Sequence, residues 1–335
     1  MLNRSRDGEF FRDMVDGGVV WDNHICMPLN PGADRFLPQL ERCFEAGVDL
    51  VTIPVGYDSR AIEDHVRMLA LFRSFIARNP EKYQLVLSVE DIARARQTGK
   101  LGICFDIEGM NAVSEQPDMV RLYYDLGVRW MLIAYNRANG AGGGCLEDDH
   151  GLTSFGKKVI SEMNQVGMVL CCTHAGYRTA REAIDFSFGP IIFSHSNPRS
   201  VWNHPRNIPD DLIVACAERG GVIGLNGIGI FLGENDASID TFIRHVEHVL
   251  ELVGDDHIGI GTDYAFDQDD VIQTILKSPE VFPPDLFPPG VGIAMIPPWH
   301  LVNVAKELAD RGHSNDTVRK LFGGNLLRVA RQVWK

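Results

Sequence analysis

The sequence lacks the features of a nucleic-acid-binding or membrane-spanning protein. Its 335 residues include 32 Lys and Arg against 45 Asp and Glu, and the formal net charge is -13. Nucleic acids and anionic membrane surfaces attract positively charged proteins, so neither is expected as a partner and a small-molecule substrate is favoured. No apolar run approaches the roughly 20 residues that cross a bilayer, and the segment 1–18 has no apolar signal-peptide core. We therefore expect a cytoplasmic location.

The sequence also lacks a disulfide framework. Its seven cysteines are odd in number and follow no framework spacing, and Cys171 and Cys172 are adjacent within an apolar segment. Adjacent cysteines in an apolar segment are typical of reduced, buried thiols. This pattern agrees with a cytoplasmic location.

What the sequence contains is a regular alternation of apolar, β-branched runs with amphipathic helical segments. Eight runs are predicted to be strands, near 17–26, 48–55, 101–109, 128–135, 167–174, 190–195, 221–227 and 257–263. Helix signals lie between them at 59–80, 209–221 and 237–254, and these segments end on Asn-Pro or glycine. Apolar strands separated by helices indicate a parallel sheet that is covered on both faces.

Eight such units in a chain of this length predict one α/β domain, a (β/α)₈ barrel of the TIM type that covers residues 1–335 with C-terminal helices packed on it. An open, doubly wound sheet is the alternative. The first predicted strand is not followed by a glycine-rich phosphate-binding motif, and this absence counts against the open sheet.

The residues at which the predicted strands end have the chemistry of metal ligands. In (β/α)₈ barrels the active site forms at the C-terminal ends of the strands. Read in chain order, these ends are His24 with Cys26, Glu108, Tyr135, His174, His195, Asn226 and Asp263. So many His, Glu and Asp side chains at one rim predict a metal site, although each residue alone is a weak signal.

Each of these residues also has an alternative role. A single histidine in an apolar run is more often a hydrogen-bonded core residue, and this role is open to His174 and His195. Glu108 follows an apolar run, where an unpaired carboxylate would be costly to bury, so it requires a cation. Asp263 is either a general base or the N-cap of the next helix. Cys26 either binds a metal or packs beside the site.

Other parts of the chain are interpreted as structural. His65, His245 and His248 lie in helical segments with many charges, and we expect the i, i+3 pair His245 and His248 to belong to a solvated face. The proline-rich segment 278–300 follows the eighth predicted strand. Its apolar side chains predict a packed cover over the barrel mouth or a subunit contact, and an ordinary surface loop is the alternative.

These motifs together resemble the renal (membrane) dipeptidase family of the amidohydrolase superfamily. The similar segments are "VWDNH" at 20–24, "DIEG" at 106–109, "GLTSFGKKVISEMNQVGMVLCCTHAG" at 151–176, "IIFSHSNPRSVWNHPRNIPDDLI" at 191–213, "HIGIGTDY" at 257–264 and "LFGGNLLRVARQVW" at 321–334. The resemblance covers nearly the whole chain, and the block 151–227 is its most specific part. It implies a two-zinc (β/α)₈ barrel that hydrolyses dipeptides, and some members of the family also open β-lactams.

The resemblance also implies which residues hold the metal ions. Glu108 would bridge two zinc ions, His174 and His195 would hold one of them, and His24 with Cys26 would hold the other. The family has His-x-Asp at the position where this chain has His24-x-Cys26. Thiolate is a softer ligand that binds zinc at about 2.3 Å, against about 2.0–2.2 Å for carboxylate, so either one or two ions are expected.

The residues that act on the substrate follow from the same resemblance. Asp263 would transfer the proton, and Arg206 would bind the substrate carboxylate through its planar guanidinium. The alternative for Arg206 is a salt bridge to the acidic segment 209–211. Tyr135 replaces a family histidine and would donate a hydrogen bond to the developing oxyanion. Asn226 completes the predicted substrate-binding set.

The sequence therefore predicts a zinc-dependent hydrolase that cleaves the amide bond of a dipeptide or a dipeptide-like small molecule. Two alternatives stay open: a hydrolase of a lactam or an N-acyl amino acid, and a catalytically weak small-molecule-binding barrel that has lost one metal site. The resemblance also suggests a homo-oligomer.

Overall fold

Parallel strands form the wall of a barrel in the computed structural model, which describes residues 2–147, 149–288 and 292–335. The strands are β1 (Trp21–Asp22), β2 (Ile25–Cys26), β3 (Leu50–Tyr57), β4 (Tyr83–Leu85), β5 (Leu101–Glu108), β6 (Val128–Leu132), β7 (Val169–Cys171), β8 (Ile192–Phe193), β9 (Val222–Leu225), β10 (Ile258–Ile260) and β11 (Tyr264–Ala265). Eight of them follow one another around the wall in the order β1-β3-β5-β6-β7-β8-β9-β10. The predicted (β/α)₈ fold and its eight strands are thus confirmed, whereas β4, which pairs with the start of β5, was not predicted.

The first and last strands close the barrel next to each other. β2 continues β1 and pairs in parallel with β11, with Ile25 opposite Tyr264 and Cys26 opposite Ala265. Below this pair, the backbone N–H of Asn23 donates to the carbonyl oxygen of Ile260 at 2.9 Å. This closure places the end of the first strand beside the end of the eighth strand.

Helices surround the wall. They are α1 (Arg6–Met14), α2 (Leu40–Glu45), α3 (Ile62–Arg78), α4 (Val89–Gln97), α5 (Met119–Asp125), α6 (Ser154–Val166), α7 (Tyr177–Phe186), α8 (Asp210–Glu218), α9 (Gly229–Leu232), α10 (Ile239–Val253), α11 (Gln268–Lys277), α12 (Leu301–Asp310), α13 (Asn315–Arg319) and α14 (Asn325–Val333). The predicted helices correspond to α3, α8 and α10. Within the described residues, none of these helices is both long enough and apolar enough to cross a membrane.

The interior of the barrel changes from apolar to charged along the strands. Because side chains alternate in a strand, Cys104, Asp106 and Glu108 of β5 point to the same side. Cys104 packs with Trp21 and Trp130 in an apolar cluster to which α14 also contributes. Asp106 and Glu108 follow toward the C-terminal end of β5. The strands thus carry their charged residues at one end of the barrel.

The expectation of a solvated helix face is wrong for His245, which is completely buried, as His65 also is. Helix α10 packs against α8 and α12, so its buried face includes position 245. The Nε2 atom of His245 lies 2.9 Å from the carbonyl oxygen of Leu232. His248 is partly exposed and pairs with Asp210 at 3.1 Å.

The proline-rich segment 278–300 forms a packed cover. This is one of the two structures predicted for it, the other being a subunit contact. Val281, Phe282 and Phe287 are buried and form an apolar cluster with Phe231 of α9. Residues 289–291 of this segment lie outside the described residues. The cover contributes apolar side chains to a cavity at the C-terminal ends of the strands.

Candidate metal centre and active site

Three histidines converge on one carboxylate oxygen at the ends of four strands. The Oε2 atom of Glu108 lies 3.8 Å from Nε2 of His24, 3.5 Å from Nε2 of His174 and 3.7 Å from Nε2 of His195. All four side chains are buried. The structure therefore brings together the residues that the sequence assigned to the ends of the first, third, fifth and sixth predicted strands.

A second group lies on the other side of His24. The Sγ atom of Cys26 lies 3.6 Å from Nε2 of His24 and donates a hydrogen bond to Oδ1 of Asp263 at 3.3 Å. Oδ1 of Asp263 is also 3.6 Å from Nε2 of His24. Since β2 pairs with β11, the closure of the barrel is what places Cys26 next to Asp263.

The donor atoms of both groups have spacings that suit a metal ion. A tetrahedral ion with bonds of about 2.0–2.3 Å holds its ligand atoms about 3.3–3.8 Å apart. The distances that involve Glu108, His24, Cys26 and Asp263 all lie in this range. The Nε2 atoms of His174 and His195 are slightly closer, at 3.0 Å. The residues present therefore fit one or two metal ions.

Hydrogen bonds orient the imidazole rings so that lone pairs face this cluster. The side-chain amide of Asn136 donates to the carbonyl oxygen of Val281 at 3.2 Å, which leaves its Oδ1 atom to accept from Nδ1 of His174 at 2.7 Å. With the proton on Nδ1, the Nε2 atom of His174 is free to bind a metal. Nδ1 of His195 lies 2.9 Å from the Ser194 hydroxyl and is held in a similar way.

Asp106 is a functional residue that the sequence analysis missed. Its Oδ2 atom lies 3.2 Å from Nδ1 of His24, and both side chains are completely buried. A carboxylate in this position fixes the tautomer of a metal-binding histidine and makes it a stronger ligand. Strand alternation could have revealed it, because Asp106 lies two residues before Glu108 and therefore points to the same side.

Burial shifts the pKa values of Glu108, His174 and His195 toward the uncharged forms. It raises the pKa of Glu108 to about 8. Burial, with nearby positive charge, lowers the pKa of His174 and of His195 well below the usual value. Burial also disfavours the His24 cation, but Asp106, Cys26 and Glu108 together outweigh this effect and raise the pKa of His24 well above its usual value. A bound cation would compensate the cost of burying these groups together.

The backbone is strained at three positions around the cluster. Asn136, His174 and Asp263 have φ values of 60°, 65° and 58°, in the left-handed region that side chains other than glycine rarely adopt. Each follows the end of a strand. Gly109, directly after Glu108, has a φ of 137°, and a Cβ atom there would lie 1.9 Å from Oδ1 of Asp58. This turn therefore requires glycine.

Arg206 lies in the wall of the cavity with its charge available. Its side chain is buried, and Nη2 makes one long hydrogen bond of 3.5 Å to the carbonyl oxygen of His195. No carboxylate lies within ion-pair distance of it among the described residues. The alternative salt bridge to 209–211 is therefore not observed: Asp210 pairs with His248, and Asp211 accepts a hydrogen bond from Tyr177.

Tyr135 faces the same cavity from the other side of the cluster. Its ring stacks on the ring of His174, with centroids 4.1 Å apart. Its hydroxyl makes no hydrogen bond to any residue that the structure describes. Burial and the nearby Glu108 raise the pKa of Tyr135 well above its usual value. The hydroxyl is therefore a neutral donor.

Asn226 lies behind Asp263. Its Nδ2 atom donates to Oδ2 of Asp263 at 2.9 Å, and its Oδ1 atom accepts from the backbone N–H of Ile228 at 2.7 Å. Both ends of the amide are thus engaged within the protein. This geometry orients the Asp263 carboxylate.

Comparison with known proteins gives a family match over most of the chain. The sequence model of the membrane dipeptidase family, Peptidase family M19, matches residues 42–279. An uncharacterized dipeptidase of Schizosaccharomyces pombe is 33% identical over 235 residues, which are 68% of this chain and 51% of that protein. A dipeptidase of Claviceps purpurea is 25% identical over 82% of this chain and 60% of its own length. The chain thus spans about half to three fifths of these curated relatives.

A solved structure matches nearly the entire chain. The crystal structure of an amidohydrolase from Pseudomonas aeruginosa superimposes with a TM-score of 0.88 at 29% sequence identity. The superposition covers 97% of this chain and 99% of that chain. His24 and Cys26 lie before the start of the family match at residue 42.

Proposed function

Because the chain belongs to the membrane dipeptidase family, we propose that it is a metal-dependent hydrolase that cleaves the amide bond of dipeptides or dipeptide-like small molecules. The observation that carries this proposal is the convergence of three histidine Nε2 atoms on Oε2 of Glu108. Donor atoms at such spacings, beside a buried guanidinium in one cavity, support metal-assisted hydrolysis of a substrate that carries a carboxylate.

The family resemblance assigns the donor atoms to two groups that share Glu108. His24, Cys26 and Glu108 would hold one zinc ion, and Glu108, His174 and His195 would hold the other. Zinc accepts this mixture of imidazole, thiolate and carboxylate ligands, whereas magnesium and calcium prefer oxygen. When bound, the ions would polarise the scissile carbonyl and acidify the attacking water.

Asp263 is the proposed proton acceptor and donor. Its carboxylate lines the cavity beside the cluster. It would accept a proton from the attacking water and then donate a proton to the leaving amine. Asn226 holds Oδ2 of this carboxylate at 2.9 Å, so Oδ1 is the atom that would exchange the proton. In this proposal Asn226 is a positioning residue.

Arg206 and Tyr135 would bind the substrate on either side of the scissile bond. The Arg206 guanidinium would hold the free carboxylate of the substrate, an interaction suited to its planar geometry. The Tyr135 hydroxyl would donate a hydrogen bond to the oxygen of the scissile carbonyl as negative charge develops there. Among the described residues, the Tyr135 hydroxyl has no hydrogen-bond partner. The Arg206 guanidinium makes one long hydrogen bond, to the carbonyl oxygen of His195.

Metal analysis combined with turnover tests this function. Protein purified without added metal should contain about two zinc ions per chain and should hydrolyse a panel of dipeptides. Removal of the metal by a chelator should abolish turnover, and added zinc should restore it. Glu108→Gln should lose both metal and turnover, whereas Glu115→Gln, at an exposed position after the same strand, should keep both.

Two results would contradict the proposal. One is a metal-free protein that binds dipeptides and raises its melting temperature without turning them over, which would support a small-molecule-binding barrel. The other is full turnover by Glu108→Gln. A cytoplasmic location and a homo-oligomeric state stay predictions from the sequence.

A further inference from the structure

Five aromatic side chains form a continuous surface in the cavity, which we call the aromatic wall: Tyr57, Tyr135, Phe282, Phe287 and Phe231. Successive ring centroids along it are 5.0, 6.1, 5.3 and 6.1 Å apart. The residues come from one strand, from the loop after another, from the cover and from α9. Rings at these distances make favourable contacts with each other and with any apolar group placed against them.

Arg206 lies at one end of the aromatic wall. Its guanidinium carbon is 5.2 Å from the ring centroid of Phe231. The same guanidinium contacts the backbone of His195, whose side chain belongs to the proposed metal centre. A carboxylate bound to Arg206 would therefore lie close to both the metal centre and the Phe231 ring.

This arrangement distinguishes the two residues of a dipeptide. The side chain of the carboxyl-terminal residue is attached one bond away from the carboxylate, so Arg206 would place it beside Phe231 and Phe287. The side chain of the other residue lies beyond the scissile carbonyl. Other residues that line this part of the cavity, Ile228 and Ile230, are also apolar and pack against Phe231.

A polar cavity lies on the other side of Arg206. It is lined by Glu147, Asp149 and Arg199, and it shares Arg206 and His174 with the main cavity. A basic side chain would suit this second cavity, because two carboxylates line it. The main cavity would thus favour an apolar side chain on the carboxyl-terminal residue, whereas the polar cavity would favour a basic one.

We propose that the enzyme selects substrates whose carboxyl-terminal residue has a large apolar side chain, such as leucine, methionine or phenylalanine, which packs on Phe231 and Phe287. This inference rests on the proposed function, since it takes Arg206 as the carboxylate site. The larger apolar area removed from water favours this end of the cavity over the polar one. The position of the substrate carboxylate determines which side chain of the dipeptide contacts the aromatic wall.

Turnover of a dipeptide series tests the selectivity. The zinc-loaded protein is assayed with Ala-Gly, Ala-Leu, Ala-Phe, Ala-Asp and Ala-Lys. The value of kcat/KM for Ala-Leu and Ala-Phe should exceed that for Ala-Gly by about 10- to 100-fold, as expected for burial of a large apolar side chain. Equal values, or a preference for Ala-Lys or Ala-Asp, would overturn the inference while leaving the hydrolase function intact.

Variants of residues that line the cavity test whether the selectivity arises from direct contact with the substrate side chain or whether a substitution simply disturbs the protein structure. Phe287→Ala should reduce the ratio of kcat/KM between Ala-Phe and Ala-Gly by about 10-fold. Ile228→Ala, at a less buried position, should reduce it in the same direction if Phe287→Ala does not fold. Phe188→Ala, where the ring is 88% exposed, is the matched control and should keep the ratio. An unchanged ratio in Phe287→Ala, or in Ile228→Ala if Phe287→Ala does not fold, would overturn the inference.

A binding measurement keeps the inference testable if no dipeptide is cleaved. N-acetyl-L-phenylalanine and N-acetylglycine carry the same carboxylate and differ only in the side chain. Calorimetric titration of the zinc-loaded protein should give a Kd at least about 10-fold lower for the phenylalanine compound. Equal affinities would overturn the apolar subsite. Tighter binding of the phenylalanine compound, in a protein that cleaves no dipeptide, would support the subsite and reject the proposed dipeptide hydrolysis.

Discussion

The carboxylate of Asp106 lies 3.2 Å from Nδ1 of His24, and both side chains are fully buried inside the barrel. Neither the Asp106 oxygens nor Nδ1 of His24 forms a hydrogen bond with a described residue, so their polar contact is the 3.2 Å approach of the carboxylate to the imidazole. An imidazole held in this way directs the lone pair of Nε2 toward Glu108. The pair therefore prepares His24 to bind a metal.

Replacing this carboxylate should weaken metal binding. Asp106→Asn should lower the zinc affinity by about 10- to 100-fold, because an amide stabilises the required tautomer less well. Competition with a chelator of known zinc affinity measures the effect. Asp125→Asn, on an exposed part of α5, is the control and should leave the affinity unchanged. An Asp106→Asn variant with wild-type affinity would contradict the role of Asp106.

Cys26 should bind the metal through its thiolate. Cobalt-substituted protein should show a near-ultraviolet charge-transfer band, which arises only from a sulfur ligand, and Cys26→Ser should abolish it. Cys145→Ser is the matched control, since Sγ of Cys145 lies 3.7 Å from Asn136 and outside the donor group. If the wild-type protein lacks the band, Cys26 packs beside the site and the metal has another ligand.

Arg206 should recognise the carboxylate of the substrate. Arg206→Met should lower kcat/KM for dipeptides by about 10- to 100-fold, which corresponds to the loss of a charge-assisted hydrogen bond. Dipeptide amides, which lack the carboxylate, serve as the control. Wild-type enzyme should discriminate strongly against the amides, and the variant should not. Equal discrimination in both proteins would rule out this role.

Asn226 should act through Asp263 and not through direct binding. Asn226→Leu should reduce kcat by about 10- to 100-fold, because the carboxylate is no longer held in one orientation. It should leave KM nearly unchanged, since the amide does not line the cavity in the described structure. Steady-state kinetics separate the two constants, and Asn79→Ala at the end of α3 is the control. A rise in KM alone would indicate substrate contact instead.

The buried His245 should make stability depend on pH. Burial lowers the pKa of His245 to about 4 from its ordinary value of about 6.5. Between these values the unfolded chain binds a proton that the folded chain does not, so stability falls as the pH falls from 6.5 to 4. The total loss from one such residue is at most about 3 kcal/mol.

Replacement of His245 tests this pH effect. His245→Gln should flatten the dependence of the unfolding free energy on pH between 6.5 and 4, as measured by urea unfolding at several pH values. His300→Gln, at an exposed position, is the control and should keep the slope. Other buried histidines contribute to the slope that remains, among them His65 and His204, whose pKa values burial also lowers to about 4. An identical slope in wild type and His245→Gln would contradict the prediction.

The strand ends could be predicted from the sequence because their signals are local. Apolar runs mark the strands, and parallel strands deliver their ends to one side of a barrel. Glu108, His174 and His195 were therefore expected at one rim, and the structure places them within 3.7 Å of each other.

Other features depend on contacts between distant parts of the chain. The buried state of His245 depends on packing between α10 and its neighbours α8 and α12, and a pattern of charges along α10 could not reveal it. The orientation of His174 depends on Asn136, whose amide is in turn held by Val281 of the cover. These residues are separated by loops whose paths have no periodic signal.

By itself the sequence determined the barrel and the kinds of side chain at its rim, because periodicity and chain order are properties of short segments. Only the tertiary structure decided which atoms meet: the spacing of donors around Glu108, the contact of Cys26 with Asp263, and the aromatic wall beside Arg206. Such distances result from strand closure and side-chain packing over the whole molecule, where shifts of less than 1 Å decide whether atoms can share an ion or exclude water.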